Sequence, residues 1–190
     1  MNSAFGSRLS ALDSRSLNKR FAVAGVLGFV VALAAASQVA IPLPGTPVPF
    51  TLQPMLVVLA GMMLGPTLGT ASMVLYLALG LVGVPVFAPI GAPGVARLFG
   101  PTGGYLIAYP AAAAVAGLLA RQFPTLAGRW AAATVGIAVL YVGGLTQLTI
   151  ITGSVGRAVV LGITPFAVLD VVKAFVAALV TRPRARTATE

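Results

Sequence analysis

The sequence predicts an all-α integral membrane protein with six transmembrane helices, and three observations lead to this fold class. The chain of 190 residues is 58% hydrophobic and only 8% charged, whereas a soluble domain is typically about a quarter charged. Six apolar stretches approach the roughly 17 to 20 residues that a spanning helix needs. The chain also contains no Cys and no His, which removes thiolate nucleophiles, imidazole chemistry and the usual zinc ligands. We therefore exclude a soluble domain and expect neither a metal site nor catalytic residues.

The first three predicted helices cover residues 21–38, 51–64 and 67–82. An apolar stretch that follows a basic one is also typical of a signal peptide. Because five further apolar segments follow, we interpret residues 21–38 as a retained helix. The second and third helices meet at Gly65-Pro66, a pair that breaks a helix, so we expect them to form an antiparallel pair.

The remaining predicted helices cover residues 103–120, residues 130–151 and a last segment that ends at residue 180. The last helix is predicted to begin at Thr164-Pro165, because a hydroxyl cap followed by proline is typical of a helix N-terminus. Of the six, it alone carries charged side chains within the apolar stretch. These are Asp170 and Lys173.

The distribution of positive charge predicts the orientation in the membrane. With the N-terminus inside, nine of the twelve Lys and Arg residues fall on the cytoplasmic side and two on the outer side, as the positive-inside rule requires. We expect a single membrane domain, residues 1–190, in which residues 20–181 form the bundle and residues 1–19 and 182–190 are cytoplasmic tails. The cytoplasmic charges are divided among three short pieces without interleaved aromatic residues, so we expect no nucleic-acid partner.

Two loops on the outer side are rich in proline and glycine. Residues 39–50 and 84–102 together hold 8 of the 14 prolines, so neither is predicted to be a regular helix. Both also contain large apolar side chains, which is typical of irregular backbone that is buried in protein or lines a cavity. We interpret the loops as lids over an outward-facing pocket. Two stiff connectors that rest on lipid headgroups are the alternative.

Three charged residues are the candidate binding site. Asp170 and Lys173 are three residues apart on a helix and therefore share a face, and ionisable groups inside a membrane are costly and usually functional. An ion pair that only holds the last helix in the bundle is the alternative. Arg97 is the only charge in the second loop, where its guanidinium suits a carboxylate. It could equally be an ordinary exposed loop arginine.

Small residues form a second pattern. Gly61, Gly65 and Gly69 follow a four-residue spacing, and Ala32 with Ala36 makes a similar face on the first helix. Such faces let membrane helices approach closely. Packing within the bundle is the simplest role, and docking of a separate membrane subunit is the alternative. No phosphate-binding loop motif is present, so any ATP must be used by other chains.

Four segments of the chain resemble, in order, motifs of the BioY family. They are IPLPGTPVPFTLQ at residues 41–53, YLALGLVGVPVF at 76–87, GPTGGYL at 100–106 and GITPFAVLDVVK at 162–173. BioY proteins are the biotin-specific substrate-binding (S) components of bacterial energy-coupling factor (ECF) transporters. The resemblance covers roughly residues 18–181. It implies a six-helix S-component bundle in which the Pro/Gly-rich outer loops close a biotin pocket.

The resemblance also implies roles for individual residues. Asp170 and Lys173 match the acidic and basic pair of the last-helix motif, and Arg97 matches the arginine of the loop after the third helix. We expect the pair to satisfy the ureido ring of biotin and Arg97 to meet its carboxylate. The secondary candidates, which could stack on the fused ring, are Phe50, Tyr76 and Tyr105. Where the family often has an amide or other polar residue after the third helix, this chain has Gly83 and hydrophobic neighbours, so one expected ligand is missing or supplied elsewhere.

The implied partners are those of an ECF transporter. The face at Ala32 and Ala36 matches the family's contact with the transmembrane coupling subunit, and two cytoplasmic ATPase subunits would use ATP, since this chain is expected to hold no cofactor. We expect a biotin-uptake protein, not an enzyme, in the bacterial cytoplasmic membrane with both termini inside. The open alternatives are an S component for another vitamin, a solitary biotin carrier or channel without dedicated ATPases, and a small intramembrane enzyme that uses Asp170 and Lys173 as an acid/base pair.

Overall fold

The computed structural model describes residues 3–181, with side chains from residue 19 onward, and seven α-helices make up this part of the chain. The helices are α1 (Ser3–Gln38), α2 (Gln53–Leu64), α3 (Pro66–Leu81), α4 (Gly103–Gln122), α5 (Leu126–Thr152), α6 (Val155–Gly162) and α7 (Ala167–Val180). A short 3-10 helix covers Gly94–Phe99 in the loop between α3 and α4. Residues 3–181 contain no strand, and one isolated antiparallel bridge joins Ile41 to Phe50 in the loop between α1 and α2. The tail predicted at residues 182–190 lies outside the described residues.

Three helices are long and apolar enough to cross a membrane within the described residues. They are the part of α1 from residue 19 to 38, and the whole of α4 and α5. A fourth crossing results if α6 and α7, which meet at an angle of 54°, form one broken span. α2 and α3 have only 12 and 16 residues, because Pro54 and Pro66 lie near their N-termini and Gly65 ends α2. At 1.5 Å per residue they are shorter than a hydrocarbon layer of about 30 Å.

Three predicted helix boundaries are wrong, and one of them is the start of α5, which begins at Leu126 and not at residue 130. The first helix begins at Ser3 and not at residue 21, because the Ser-, Leu- and Arg-containing stretch before residue 21 lacks Gly and Pro from residue 7 onward and continues the helix. The last helix begins at Ala167, with Phe166 as a cap that makes no side-chain hydrogen bond. Pro165 disfavours helical backbone at Thr164, so residues 163–166 form the break between α6 and α7. The short helix α6 was not predicted.

α4 lies at the centre of the bundle, where it packs against α2, α3 and α5. α4 approaches α5 closely at Gly104 and Gly143. A Cβ atom on Gly104 would lie 2.1 Å from the carbonyl oxygen of Gly143, and one on Gly143 would lie 2.4 Å from the carbonyl oxygen of Gly104. Two helix backbones can approach this closely only where the contacting residues have no side chain. These two glycines therefore determine how closely α4 packs against α5.

The glycine spacing predicted from the sequence also serves packing inside the bundle. A Cβ atom on Gly61 would lie 1.9 Å from the carbonyl oxygen of Ala113 in α4, and one on Gly69 would lie 2.6 Å from the Cα atom of Gly61. Gly65 joins the two helices with a φ of +88°, a backbone conformation that favours glycine. The three glycines therefore pack α2 and α3 as an antiparallel pair against α4.

The outer surface of the helices carries large apolar side chains. Val168 is 77% exposed, Ile150 is 73% exposed and Val142 is 67% exposed. An aqueous surface would place polar side chains at such positions. The apolar exterior is that of a bundle embedded in lipid.

Candidate functional site

A cavity lies between α2, α3, α4, α5 and α7, and residues from both proline-rich loops line it. Its volume is about 740 Å³ when the part open to solvent is counted. Most of its wall is apolar or aromatic. The polar side chains that line it are those of Thr51, Gln53, Tyr76, Arg97, Thr102, Tyr105, Tyr109, Tyr141, Asp170 and Lys173.

Asp170 and Lys173 form a buried ion pair on the wall of this cavity. The Nζ atom of Lys173 lies 2.7 Å from Oδ1 of Asp170, and the two residues are 6% and 4% exposed, respectively. Since α7 begins at Ala167, Asp170 lies in its first turn, about 4.5 Å along the axis, where the helix dipole favours a negative charge. The structure thus brings together the pair that the sequence predicted.

Both charged groups have a second partner from another element. The ammonium of Lys173 donates to the backbone carbonyl of Thr51 at 2.8 Å, and the hydroxyl of Tyr141 in α5 donates to Oδ2 of Asp170 at 2.6 Å. The Nζ atom of Lys173 also lies 3.9 Å from the centre of the Phe50 ring, a distance at which a cation and an aromatic face attract. Phe50 is therefore beside the ion pair, although it is not among the residues that line the cavity.

Arg97 is buried in the 3-10 helix and lines the same cavity. The alternative of an exposed loop arginine is wrong, because its side chain folds back on its own loop and donates to the carbonyl oxygens of Ile90 and Ala88. Among the side chains of residues 19–181, the Nε atom of Arg97 is the one buried polar atom that lacks a hydrogen-bond partner. Burial lowers the pKa of the guanidinium from its usual value. An unsatisfied donor of this kind costs free energy until a ligand meets it.

Tyr76 lies at the centre of a buried polar group on the cavity wall. Its hydroxyl accepts a hydrogen bond from Nε2 of Gln53 at 2.9 Å and donates to the carbonyl of Val86 at 2.8 Å. Its ring stacks on Tyr109 with centres 6.2 Å apart and meets the edge of Phe87 at 5.5 Å. These contacts fix Tyr76 rigidly and attach the start of the second loop to α3.

Tyr105 lines the cavity from α4 and also stabilises the break between α6 and α7. Its hydroxyl donates to the carbonyl of Gly162 at 2.8 Å. The hydroxyl of Thr46, in the loop between α1 and α2, donates to the carbonyl of Leu161 at 2.6 Å. Carbonyls that a broken helix leaves free need such partners inside a membrane. The break is therefore held by α4 and by the first loop.

Ala32 and Ala36 lie away from the cavity, and both are partly buried on α1. α1 packs against α2 and α3, and large apolar side chains such as Val31 and Leu27 remain exposed on its other side. Contact of this helix with a coupling subunit stays a prediction.

Sequence reasoning missed the part that Tyr141, Gln53 and Thr51 play in the site. Tyr141 and Gln53 stand out in the sequence as polar groups in apolar segments, but nothing in the spacing places them beside Asp170 or Tyr76. Thr51 contributes its backbone carbonyl to Lys173, and no pattern of side chains reports a backbone acceptor.

Comparisons with known proteins agree with this architecture. A family model described as the BioY family matches residues 10–190. A probable biotin transporter BioY of Pyrococcus horikoshii is 42% identical over 134 residues, which cover 70% of this chain and 78% of the relative. The biotin transporter BioY of Thermotoga maritima is 37% identical over 152 residues, which cover 80% of this chain and 88% of the relative.

A solved structure shares the fold. It is described as the S-component for biotin from an ECF-type ABC transporter, and it matches with a TM-score of 0.80 and 25% identity over 87% of this chain and 90% of that chain. The resemblance of the four sequence motifs is confirmed, because the family match extends over nearly the whole chain. The chain belongs to the BioY family, a family of transporters.

Proposed function

We propose that this protein binds biotin with high affinity and delivers it across the cytoplasmic membrane as the S component of an ECF transporter. The observation that carries the proposal is the buried pair of Asp170 and Lys173, which lines the cavity and keeps hydrogen-bonding capacity free. The names of the relatives and of the structural neighbour support the same ligand.

The chemistry of the pair fits the ureido ring of biotin, which offers two N–H donors and one carbonyl acceptor. Each oxygen of Asp170 accepts one hydrogen bond in the structure, and a carboxylate oxygen has room for a second. Lys173 uses two of its three N–H groups on Thr51 and Asp170. One carboxylate and one ammonium can therefore satisfy all three polar groups of the ring.

Arg97 is proposed to bind the carboxylate of biotin. Two of its nitrogens already donate to loop carbonyls, and its buried Nε–H has no partner, so Nε–H is the donor proposed to meet the carboxylate. Tyr76 and Tyr105 remain secondary candidates for contact with the fused ring, and Phe50 is proposed to act through Lys173.

The Arg97→Lys variant tests this role. Lysine keeps the positive charge, but its single ammonium lacks the planar set of donors with which arginine can bind the loop carbonyls and a carboxylate at the same time. Biotin affinity is therefore expected to fall at least tenfold, or about 1.4 kcal/mol. Isothermal titration should compare biotin with biotin amide, which lacks the carboxylate charge. The amide is expected to bind the unaltered protein weakly and to lose little more with Arg97→Lys. Equal losses for both ligands would assign Arg97 to loop structure alone.

We also propose the membrane arrangement. Six segments cross the bilayer. The apolar loop before α2 and the apolar loop after α3 extend these two short helices to the length of a crossing, and α6 and α7 together form one broken crossing. Both termini lie in the cytoplasm, as the distribution of Lys and Arg favours. A transmembrane coupling subunit docks on α1 at Ala32 and Ala36, and two ATPase subunits supply the energy.

Isothermal titration of the detergent-purified protein tests the proposed ligand. Binding of biotin tighter than micromolar is expected, with riboflavin, thiamine and lipoate unable to compete. Absence of such binding would contradict the proposal, and competition by another vitamin would reassign the ligand. Uptake of biotin into vesicles that contain this chain alone, compared with vesicles that also contain the coupling and ATPase subunits, separates the S component from a solitary carrier.

A further inference from the structure

We infer that Tyr141 is a positioning residue of the binding site, which fixes the carboxylate of Asp170 in the orientation that receives the ureido N–H groups. The inference rests on the proposed function, because it concerns how the same site recognises biotin. Tyr141 is neither one of the charged residues nor one of the aromatic candidates for ring contact.

The geometry fixes the carboxylate from two sides. The hydroxyl of Tyr141 donates to Oδ2 at 2.6 Å, and the ammonium of Lys173 donates to Oδ1 at 2.7 Å. Tyr141 belongs to α5 and Lys173 to α7, so the two donors come from different helices that pack against each other. With one charge-assisted hydrogen bond on each oxygen, the carboxylate cannot turn about its last bond without losing one of them.

Among the described side chains, the hydroxyl of Tyr141 has no second donor beside it on Oδ2 of Asp170. Tyr105 also lines the cavity, but its hydroxyl donates to the carbonyl of Gly162. Without Tyr141, the carboxylate is free to turn both oxygens toward Lys173. This would tighten the ion pair and remove the acceptors that the ureido group needs.

The Tyr141→Phe variant tests the inference, because it removes the hydroxyl and keeps the ring. The dissociation constant of biotin, measured by titration calorimetry, is expected to rise about tenfold or more, since hydrogen bonds to charged groups are among the stronger ones. Thr146→Val is the matched control: it removes a hydroxyl of α5 that is exposed and donates only to the carbonyl of Val142. We expect it to leave the affinity unchanged.

Infrared spectroscopy of the unliganded protein separates positioning from general packing. The chain has only three Asp and Glu residues, so the carboxylate stretching bands of Asp170 can be assigned by subtracting the spectrum of Asp170→Asn. These bands are expected to shift in Tyr141→Phe and to stay in place in Thr146→Val. An affinity within twofold of the unaltered protein would overturn the inference, and so would a weakened affinity with unshifted bands. If the unaltered protein binds no biotin at all, the proposed function fails first.

Discussion

The Asp170→Ala variant is expected to lose biotin affinity by at least about 100-fold and to unfold at a lower temperature. The substitution removes the proposed acceptor of the ureido N–H groups. It also leaves the ammonium of Lys173 buried with the carbonyl of Thr51 as its remaining hydrogen-bond acceptor. Removal of one partner of a buried ion pair typically costs about 3 to 5 kcal/mol. Titration calorimetry measures the first effect, and thermal unfolding of the unliganded protein measures the second.

A double variant separates binding from structure at this pair. Asp170→Ala combined with Lys173→Met removes both charges, so the unfolding temperature is expected to recover while biotin binding stays lost. Asp170→Asn, which keeps the shape, is expected to weaken binding by more than about 1 kcal/mol. If Asp170→Ala lowers the unfolding temperature without changing the affinity for biotin, the pair only holds α7 in the bundle.

The Gly143→Val variant is also expected to cause a large loss of stability. A Cβ atom at this position would lie 2.4 Å from the carbonyl oxygen of Gly104, so the contact is with the backbone of α4 and not with a side chain that could turn aside. Overpacking typically costs about 1 to 3 kcal/mol and occasionally more. We expect roughly 3 kcal/mol or more here because backbone must move. Thermal unfolding monitored by circular dichroism measures the effect.

Gly28→Val is the matched control for that variant. Gly28 also lies within a helix, but an added Cβ atom would meet nothing within 4 Å. Its unfolding temperature is therefore expected to stay close to that of the unaltered protein. Equal losses for Gly143→Val and Gly28→Val would show that helix propensity, and not the contact between α4 and α5, explains the effect.

The sequence predicted most helix ends, because prolines and glycines mark them. Leu64 ends α2 before Gly65, and Gly103 begins α4 after Pro101. Helix α6 was missed for a physical reason. Residues 155–162 are nearly uncharged and continue the apolar composition of their neighbours, so no shift in composition marks a separate short helix. Pro165, which is compatible with a helix start, acts instead to interrupt the chain.

The charged part of the site could be predicted and the neutral part could not. Asp170 and Lys173 stand out because charge is rare in an apolar helix. Arg97 remained ambiguous in the sequence, since burial of its guanidinium depends on the carbonyls of Ala88 and Ile90, which only the folded loop brings to it. The partnership of Tyr141 with Asp170 joins residues 29 positions apart, and depends on how α5 packs against α7.

A structure of the purified protein with bound biotin tests the central claim most directly. We expect the ligand in the cavity between α2, α3, α4, α5 and α7, with its ureido ring in hydrogen-bond contact with Asp170 and Lys173 and its carboxylate beside the Nε atom of Arg97. Biotin bound elsewhere on the protein, or a cavity that stays empty at saturating biotin, would contradict the account.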